Sequence, residues 1–190
     1  MRIGIAAGHS KNATDSQVYE WGRCILAVEL LTEQLRLAGH QVIRPAAPTY
    51  ERHNDVALRN KTDLFNRSNL DLAIELHLNA GGGNYSCVLY WDDPVKRTHS
   101  PAGKRWAEAI SASHDMLPWR NMGAKSKSEM GRNKLWFLDR TSCPAIITEP
   151  AFKDYDQHRA WMDSEEFPHD YASMITHAVV KEQMAKRLAA

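Results

Sequence analysis

The sequence predicts a single α/β domain, with a mostly parallel, twisted sheet of about six strands flanked by helices. Short apolar runs alternate with longer helical patterns along the chain, which is typical of this class. The 190 residues also suit one domain. No linker, repeat or low-complexity tract interrupts them. We therefore expect one domain over residues 1–190.

The first half of the chain alternates between strand and helix patterns. A buried strand at residues 2–7 precedes a helix of about five turns, whose apolar residues recur every three or four positions: Trp21, Cys24, Val28, Leu31, Leu35 and Ala38. Gly39 can adopt the left-handed conformation that ends such a helix. A second strand, a weaker helix and an apolar third strand follow at residues 41–44, 54–68 and 70–78.

The second half begins with a strand at residues 87–91. It follows the third strand so closely that the two must be antiparallel or not adjacent. Ser100 and Pro101 predict a helix start, because serine caps first-turn amides and proline lacks the amide that would stay unpaired. A long loop, two short strands and a C-terminal helix are expected at residues 116–134, 135–138, 145–148 and from 167 onward.

The composition excludes several classes of protein. Twenty-four basic and 23 acidic side chains give a net charge of +1, which argues against a protein that coats nucleic acid or an anionic membrane. No apolar run approaches the roughly 18 residues of a membrane span. Cys24, Cys87 and Cys143 lack paired spacing and are expected to be buried thiols. We expect no nucleic-acid partner and no membrane insertion.

Three apolar strands run directly into histidine or glutamate. The first ends at His9, the third at His77 and the last at Glu149, while Glu20 lies near the start of the first helix. Ligands of open α/β sheets gather at the carboxyl ends of the strands. Two histidines, a carboxylate and an open position for water form a common catalytic zinc set. His9, Glu20 and His77 are thus candidate ligands, with Glu149 as the base that accepts a proton from water.

Each of these residues also has a plainer interpretation. A histidine or glutamate at a strand end is often ordinary polar surface, and an acid early in a helix is favoured by the helix dipole. Their coincidence at several strand ends favours the metal site. The other histidines occupy polar contexts and are expected to be exposed: His40, His53, His99, His114, His158, His169 and His177.

Other catalytic templates do not fit. The chain contains no HExxH, GxSxG or GxxxxGK[ST] motif. A cysteine–histidine nucleophile using Cys87 or Cys143 would need an exposed, electropositive thiol, which neither context suggests.

Four segments, taken in order, resemble the type 3 (amidase_3) zinc-dependent N-acetylmuramoyl-L-alanine amidases of bacterial autolysins and phage endolysins. They are Ile3–His9; Glu20 followed by Gly39 and Val42-Ile43; Asn66 and Asp71 followed by His77, Asn79 and Ala80; and Cys143–Phe152. The resemblance implies a hydrolase that cuts the amide between N-acetylmuramic acid and L-alanine in peptidoglycan. It also implies one zinc ion per chain held by His9, Glu20 and His77, and a catalytic Glu149.

The sequence departs from the family pattern at three points. The loop before Glu20 is shorter than in many members, which leaves Asp15 and Glu29 as alternative carboxylate ligands. Glu75 stands where members commonly have serine, and Pro150 replaces a residue that is usually not proline. None of these departures removes a side chain that the implied zinc site or the implied catalysis needs.

Substrate contacts are expected from a basic segment and from one asparagine. Residues 120–134 carry five basic side chains against one acidic side chain. Arg120, Lys125 and Arg132, together with Asn79, could meet the carboxylates of the stem peptide. A solvated loop is the plainer interpretation of this segment.

Three other functions remain as alternatives, and the sequence also suggests a biological setting. The rivals are another zinc peptidase or carboxypeptidase acting on stem peptides, a non-catalytic peptidoglycan-binding module, and a glycan hydrolase with a carboxylate pair.

The N-terminus lacks the pattern of a secretory signal. We expect a monomeric phage endolysin without a separate cell-wall-binding domain. It would be made in the host cytoplasm and reach the wall through a membrane lesion formed by another protein.

Overall fold

The computed structural model describes residues 1–188. Its strands are β1 (Arg2–Ala7), β2 (Gln41–Ile43), β3 (Leu72–Leu76), β4 (Tyr85–Tyr90), β5 (Asp92–Asp93), β6 (Thr98–His99), β7 (Arg120–Ser126) and β8 (Ala145–Glu149). Its helices are α1 (Asp15–Leu37), α2 (Ala47–Tyr50), α3 (Asn54–Asn66), α4 (Pro101–Ser113), α5 (Trp136–Arg140), α6 (Asp156–Asp163) and α7 (Phe167–Leu188). A short 3₁₀ turn follows α4 at His114–Met116.

Six strands form the central sheet, in the order β2-β1-β3-β8-β4-β7. The first four are parallel to one another, whereas β4 runs antiparallel to β8 and β7 runs parallel to β4. Strands β5 and β6 form a separate two-stranded ribbon. The predicted single α/β domain with a mostly parallel six-stranded sheet is confirmed. Strand β4 is not adjacent to β3, which is one of the two arrangements that its short connection allowed.

The strand register brings the carboxyl ends of three strands level with one another. Ala7 of β1 lies beside Leu76 of β3, and Leu76 lies beside Thr148 of β8. The residues that follow these three positions therefore emerge at the same edge of the sheet. This alignment brings the ends of segments far apart in the sequence into one site.

The two faces of the sheet carry separate apolar cores. The larger core packs β1, β3 and β8 against α1, α4 and α7. The smaller core lies on the opposite face, where Phe65 of α3 and Phe137 of α5 contact each other edge to face. Alternate residues of each central strand therefore belong to different cores, as the two-residue period of a strand requires.

The helix ends follow the local chemistry that the sequence predicted. Gly39 has φ +83° directly after the C-cap of α1, a conformation that glycine adopts without a steric penalty. The Ser100 hydroxyl accepts a hydrogen bond of 3.0 Å from Gly103 N at the start of α4. Helix α1 buries the predicted Cys24, Val28, Leu31 and Leu35.

Two secondary-structure predictions were wrong. The expected loop at residues 116–134 contains β7, which pairs with β4 at the edge of the sheet. Its sequence lacks β-branched residues, so the strand forms through pairing rather than through local propensity. The expected strand at residues 135–138 lies largely within α5, because a short apolar run suits either element.

The prediction that seven histidines are exposed was wrong for three of them. His40, His114 and His158 are buried, because tertiary packing covers turns and helices whose flanking residues are polar. Cys24 and Cys87 are buried as expected, and Cys143 is partly buried. Among residues 1–188, no helix combines the length and the apolar character needed to span a membrane.

Candidate metal centre and active site

His9 leaves the end of β1 through an unusual backbone conformation. Its φ is +57°, in the left-handed region that few non-glycine residues adopt. The preceding Gly8 donates its N–H to Leu76 O at 2.8 Å, which ties this turn to β3. A Cβ on Gly8 would lie 2.4–2.6 Å from three ring atoms of His77. Glycine therefore permits the His77 ring to lie directly against the chain that carries His9.

Glu20 lies in α1 and is almost completely buried. Its Oε1 lies 2.7 Å from His77 Nδ1 and accepts a hydrogen bond of 3.0 Å from Leu78 N. Its Oε2 lies 3.4 Å from His9 Nε2. The carboxylate is thus positioned between the two histidine rings.

One ligand atom from each of His9, Glu20 and His77 lies within 4.8 Å of the other two. Two imidazole nitrogens and one carboxylate oxygen are the donor types of catalytic zinc sites, so the donor set fits the ion. The alternative carboxylates do not join this group. Asp15 is exposed at the first residue of α1, and Glu29 faces Arg44 at 4.0 Å.

Glu149 ends β8 beside this cluster. Its Oε2 accepts a hydrogen bond of 2.6 Å from Asn79 Nδ2 and lies 3.7 Å from Cys87 Sγ. Burial raises the pKa of the Glu149 carboxyl above its ordinary value, which brings it closer to the pKa of an effective general base near neutral pH. The same burial, with Glu149 beside it, raises the pKa of the Cys87 thiol, which does not favour a thiolate nucleophile.

A cavity of about 280 Å³ joins these groups. His9, Glu20, His77 and Glu149 line it, and so do Asn79, Arg132, Lys134 and Trp136. Of the other predicted substrate contacts, Arg120 and Lys125 lie on β7 rather than in this lining. Lys127 of the same basic segment pairs with Asp139 at 2.7 Å and is thus part of the internal structure.

Two lysines beside the cluster were not predicted from the sequence. Lys153 Nζ lies 2.5 Å from Glu20 Oε2, and Lys61 Nζ lies 2.7 Å from Glu75 Oε1. Glu75 in turn contacts His77. The apolar stretch around Glu75 contained a signal, since a charge in a buried strand requires a partner.

Charges around the cluster shift its protonation equilibria. Burial alone would raise the pKa of Glu20, but hydrogen bonds from His77 and His9 outweigh it and lower that pKa well below its usual value. Burial alone would lower the pKa of His77, but the carboxylates of Glu75 and Glu20 outweigh it and raise that pKa. A metal ion at this site would compete with a proton on His77.

Comparison with protein families gives one match that covers most of the chain. Residues 3–181 match the family Amidase_3, described as N-acetylmuramoyl-L-alanine amidase. The chain belongs to this family. Its membership identifies the protein as an enzyme of the N-acetylmuramoyl-L-alanine amidase class and confirms the family that the sequence motifs indicated. Comparison with curated proteins gave no match.

Solved structures show the same fold. The catalytic domain of an endolysin that targets Clostridia difficile is 25% identical, with a TM-score of 0.75, and the match covers 95% of this chain and 97% of that one. An N-acetylmuramoyl-L-alanine amidase from Clostridium difficile 630 is 20% identical, with a TM-score of 0.76 and 97% of each chain covered. An apo N-acetylmuramyl-L-alanine amidase from Mycobacterium abscessus is also 20% identical, with a TM-score of 0.76, and the match covers 95% of this chain and 97% of that one.

Proposed function

We propose that this enzyme is a zinc-dependent hydrolase that cuts the bond between N-acetylmuramic acid and L-alanine in peptidoglycan and thereby lyses the cell wall. One observation carries the proposal: the ligand atoms of His9, Glu20 and His77 converge in the cavity that also contains the buried Glu149. Membership of Amidase_3 supports peptidoglycan as the substrate.

His9, Glu20 and His77 would hold the ion. Zinc, when bound, lowers the pKa of a coordinated water to about 7 and polarises a carbonyl oxygen. The chain supplies these ligands from the turn after β1, from α1 and from the residue after β3. Because the strand register and a buried helix fix all three, little rearrangement is needed to assemble the site.

Glu149 would transfer the protons. Both of its hydrogen-bonding contacts, from Asn79 and Cys87, use Oε2, which leaves Oε1 to accept a proton from the attacking water. The same carboxyl then returns that proton to the nitrogen of the leaving L-alanine. Asn79 holds the carboxylate in place through a hydrogen bond of 2.6 Å, so in this proposal it acts on Glu149 as well as bordering the substrate.

The basic wall of the cavity would bind the stem peptide. Arg132 and Lys134 lie in the lining that also contains the four central residues. Stem peptides carry carboxylates, and arginine can pair with a carboxylate through two parallel hydrogen bonds. Arg120 and Lys125 on β7 would then meet parts of the substrate that extend beyond the cavity.

The setting that we propose is that of a monomeric phage endolysin. This is supported by the match, over nearly the full length of both chains, to the catalytic domain of an endolysin. Such an enzyme would be made in the host cytoplasm and act on the wall after release through a membrane lesion.

Digestion of purified peptidoglycan, with and without a chelator, tests the proposed reaction. Mass spectrometry should show peptides that begin with a free L-alanine amino group. The chelator should abolish their release, and added zinc should restore it. Cuts within the peptide would indicate an endopeptidase, and new reducing sugar ends would indicate a glycan hydrolase. Either result would contradict the proposal.

A further inference from the structure

We propose that the buried pair Lys61–Glu75 is a positioning device that fixes the ring of His77 for metal binding. This inference rests on the proposed zinc site. It concerns two residues that do not themselves join the ligand group and to which the sequence analysis gave no role. The ring of His77 is held at both nitrogens and against one face.

His77 Nε2 is the ring nitrogen that faces away from the other proposed ligands. Glu75 Oε2 lies 3.0 Å from His77 Nε2, whereas His77 Nδ1 lies 2.7 Å from Glu20. A metal ion held at Nδ1 requires the lone pair on that nitrogen, which places the proton of the neutral ring on Nε2, where the Glu75 carboxylate can accept it. Nδ1 is the nitrogen that faces Glu20 within the ligand group. Such carboxylate–histidine contacts orient a metal-binding ring and increase its basicity.

Glu75 is itself held in place by Lys61. Lys61 Nζ donates to Glu75 Oε1 at 2.7 Å and to Ala7 O at 2.9 Å. The exposed fractions of Lys61 and Glu75 are 0% and 1%. With one oxygen held by Lys61, the other is directed at His77. The lysine also ties α3 to the end of β1, two residues before His9.

One face of the His77 ring lies against Gly8. The close approach of Gly8 to the His77 ring leaves no room for even a methyl group. The ring is therefore confined by backbone on its face and by carboxylates at both nitrogens. Glu75 acts from the side of the ring opposite Nδ1, so its contact is compatible with a metal ion bound at Nδ1.

Zinc affinity, measured by chelator competition, tests this role directly. Glu75→Gln keeps the size of the side chain and removes its charge, and it should weaken zinc binding about 10- to 100-fold. Cobalt substituted for zinc should show a changed visible absorption spectrum, since that spectrum reports ligand geometry. Lys127→Met is the matched control, because it breaks another largely buried ion pair, with Asp139, and should leave both readouts unchanged.

A double variant separates positioning from folding. Lys61→Met alone leaves the buried Oε1 of Glu75 without its lysine partner and is expected to lower the melting temperature. Lys61→Met combined with Glu75→Leu removes both charges and should recover stability, yet it should still bind zinc about 10- to 100-fold more weakly than wild type.

The outcomes distinguish the two proposals. If wild type binds one zinc ion and both Glu75→Gln and the double variant match its affinity and cobalt spectrum, the pair is only structural and the inference is overturned. If the wild-type protein binds no zinc, the proposed function fails, and this inference fails with it.

Discussion

Successive residues of β3 face two different environments. Ile74 and Leu76 point into the larger core beneath α1, α4 and α7. Glu75, between them, points to the opposite face together with His77, towards Lys61 of α3. Strand β8 repeats the arrangement, because Ile146 belongs to the larger core and Glu149 ends the strand in the cavity.

The two faces also bury polar groups in different ways. On the larger-core side, His114 is fully buried with a contact of 3.2 Å to Thr148, and burial lowers its pKa to about 4, so it stays neutral. On the site side, Lys61 is paired with Glu75 and Lys153 with Glu20, whereas Glu149 accepts a hydrogen bond from the neutral Asn79. The contrast indicates that one face supplies stability while the other carries reactive groups held by ion pairs and hydrogen bonds.

His77→Ala should produce the largest difference between the faces. It removes one of the three proposed ligands, so zinc affinity should fall more than about 100-fold and amidase activity should fall with it. This loss exceeds the roughly 10- to 100-fold expected for residues that only hold a ligand in place. Elemental analysis and peptidoglycan digestion check both. His114→Gln, on the opposite face, is the control and should retain zinc and activity. A His77→Ala protein with full zinc content would exclude His77 as a ligand.

Ile74→Ala should affect stability without affecting the metal site. Deleting a fully buried aliphatic side chain typically costs about 2–5 kcal/mol of unfolding free energy, and Ile74 is 0% exposed. Urea denaturation measures the loss, and chelator competition should show unchanged zinc affinity. A marked change in affinity would mean that the two faces are coupled more strongly than their separate cores suggest.

The buried His114 should make stability depend on pH. Its folded pKa of about 4 lies below the usual 6.5, so in this range protons bind preferentially to the unfolded chain. The stabilisation is complete above pH 6.5 and is lost as the pH falls towards about 4, by about 3 kcal/mol. Denaturation at several pH values should show a shallower slope in His114→Gln. An unchanged slope of unfolding free energy against pH would contradict the assignment of this pH dependence to His114. Some slope should remain, because burial also lowers the pKa values of His40 and His158.

Arg132→Gln should have the smallest effect. If this side chain meets a stem-peptide carboxylate at the cavity wall, the substitution should raise KM several-fold with little change in kcat. A hydrogen bond to a charged group contributes roughly 1.5–3 kcal/mol, and solvent screening removes part of this free energy. Steady-state kinetics on soluble muropeptides measures both constants, and Arg67→Gln, at the exposed C-cap of α3, is the control and should leave both unchanged. Equal KM values for Arg132→Gln and wild type would leave Arg132 without a substrate role.

The sequence was sufficient to predict five of the six strands of the central sheet and the residues that follow them. His9, His77 and Glu149 each follow an apolar run, and the parallel register brings such positions together. Strand β7 was missed because it lacks β-branched residues and exists through its pairing with β4.

The supporting residues could not be predicted in the same way. Lys61 lies within a helix and Lys153 lies in a loop, so neither belongs to a strand-end pattern. Their partners depend on where long side chains reach after packing. His158 illustrates the same point, because the ring of Trp119 packs against it with centroids 4.0 Å apart, although its neighbours in the sequence are polar.

In the mechanism that we propose, His9, Glu20 and His77 hold zinc at the carboxyl ends of the strands while Glu149 transfers the proton. Glu149→Gln separates these two roles, since it removes the base without removing a ligand. The variant should retain one zinc ion per chain by elemental analysis and lose about 10²- to 10⁴-fold in kcat. A variant with full zinc content and wild-type activity would contradict the account, and so would a variant that loses its zinc.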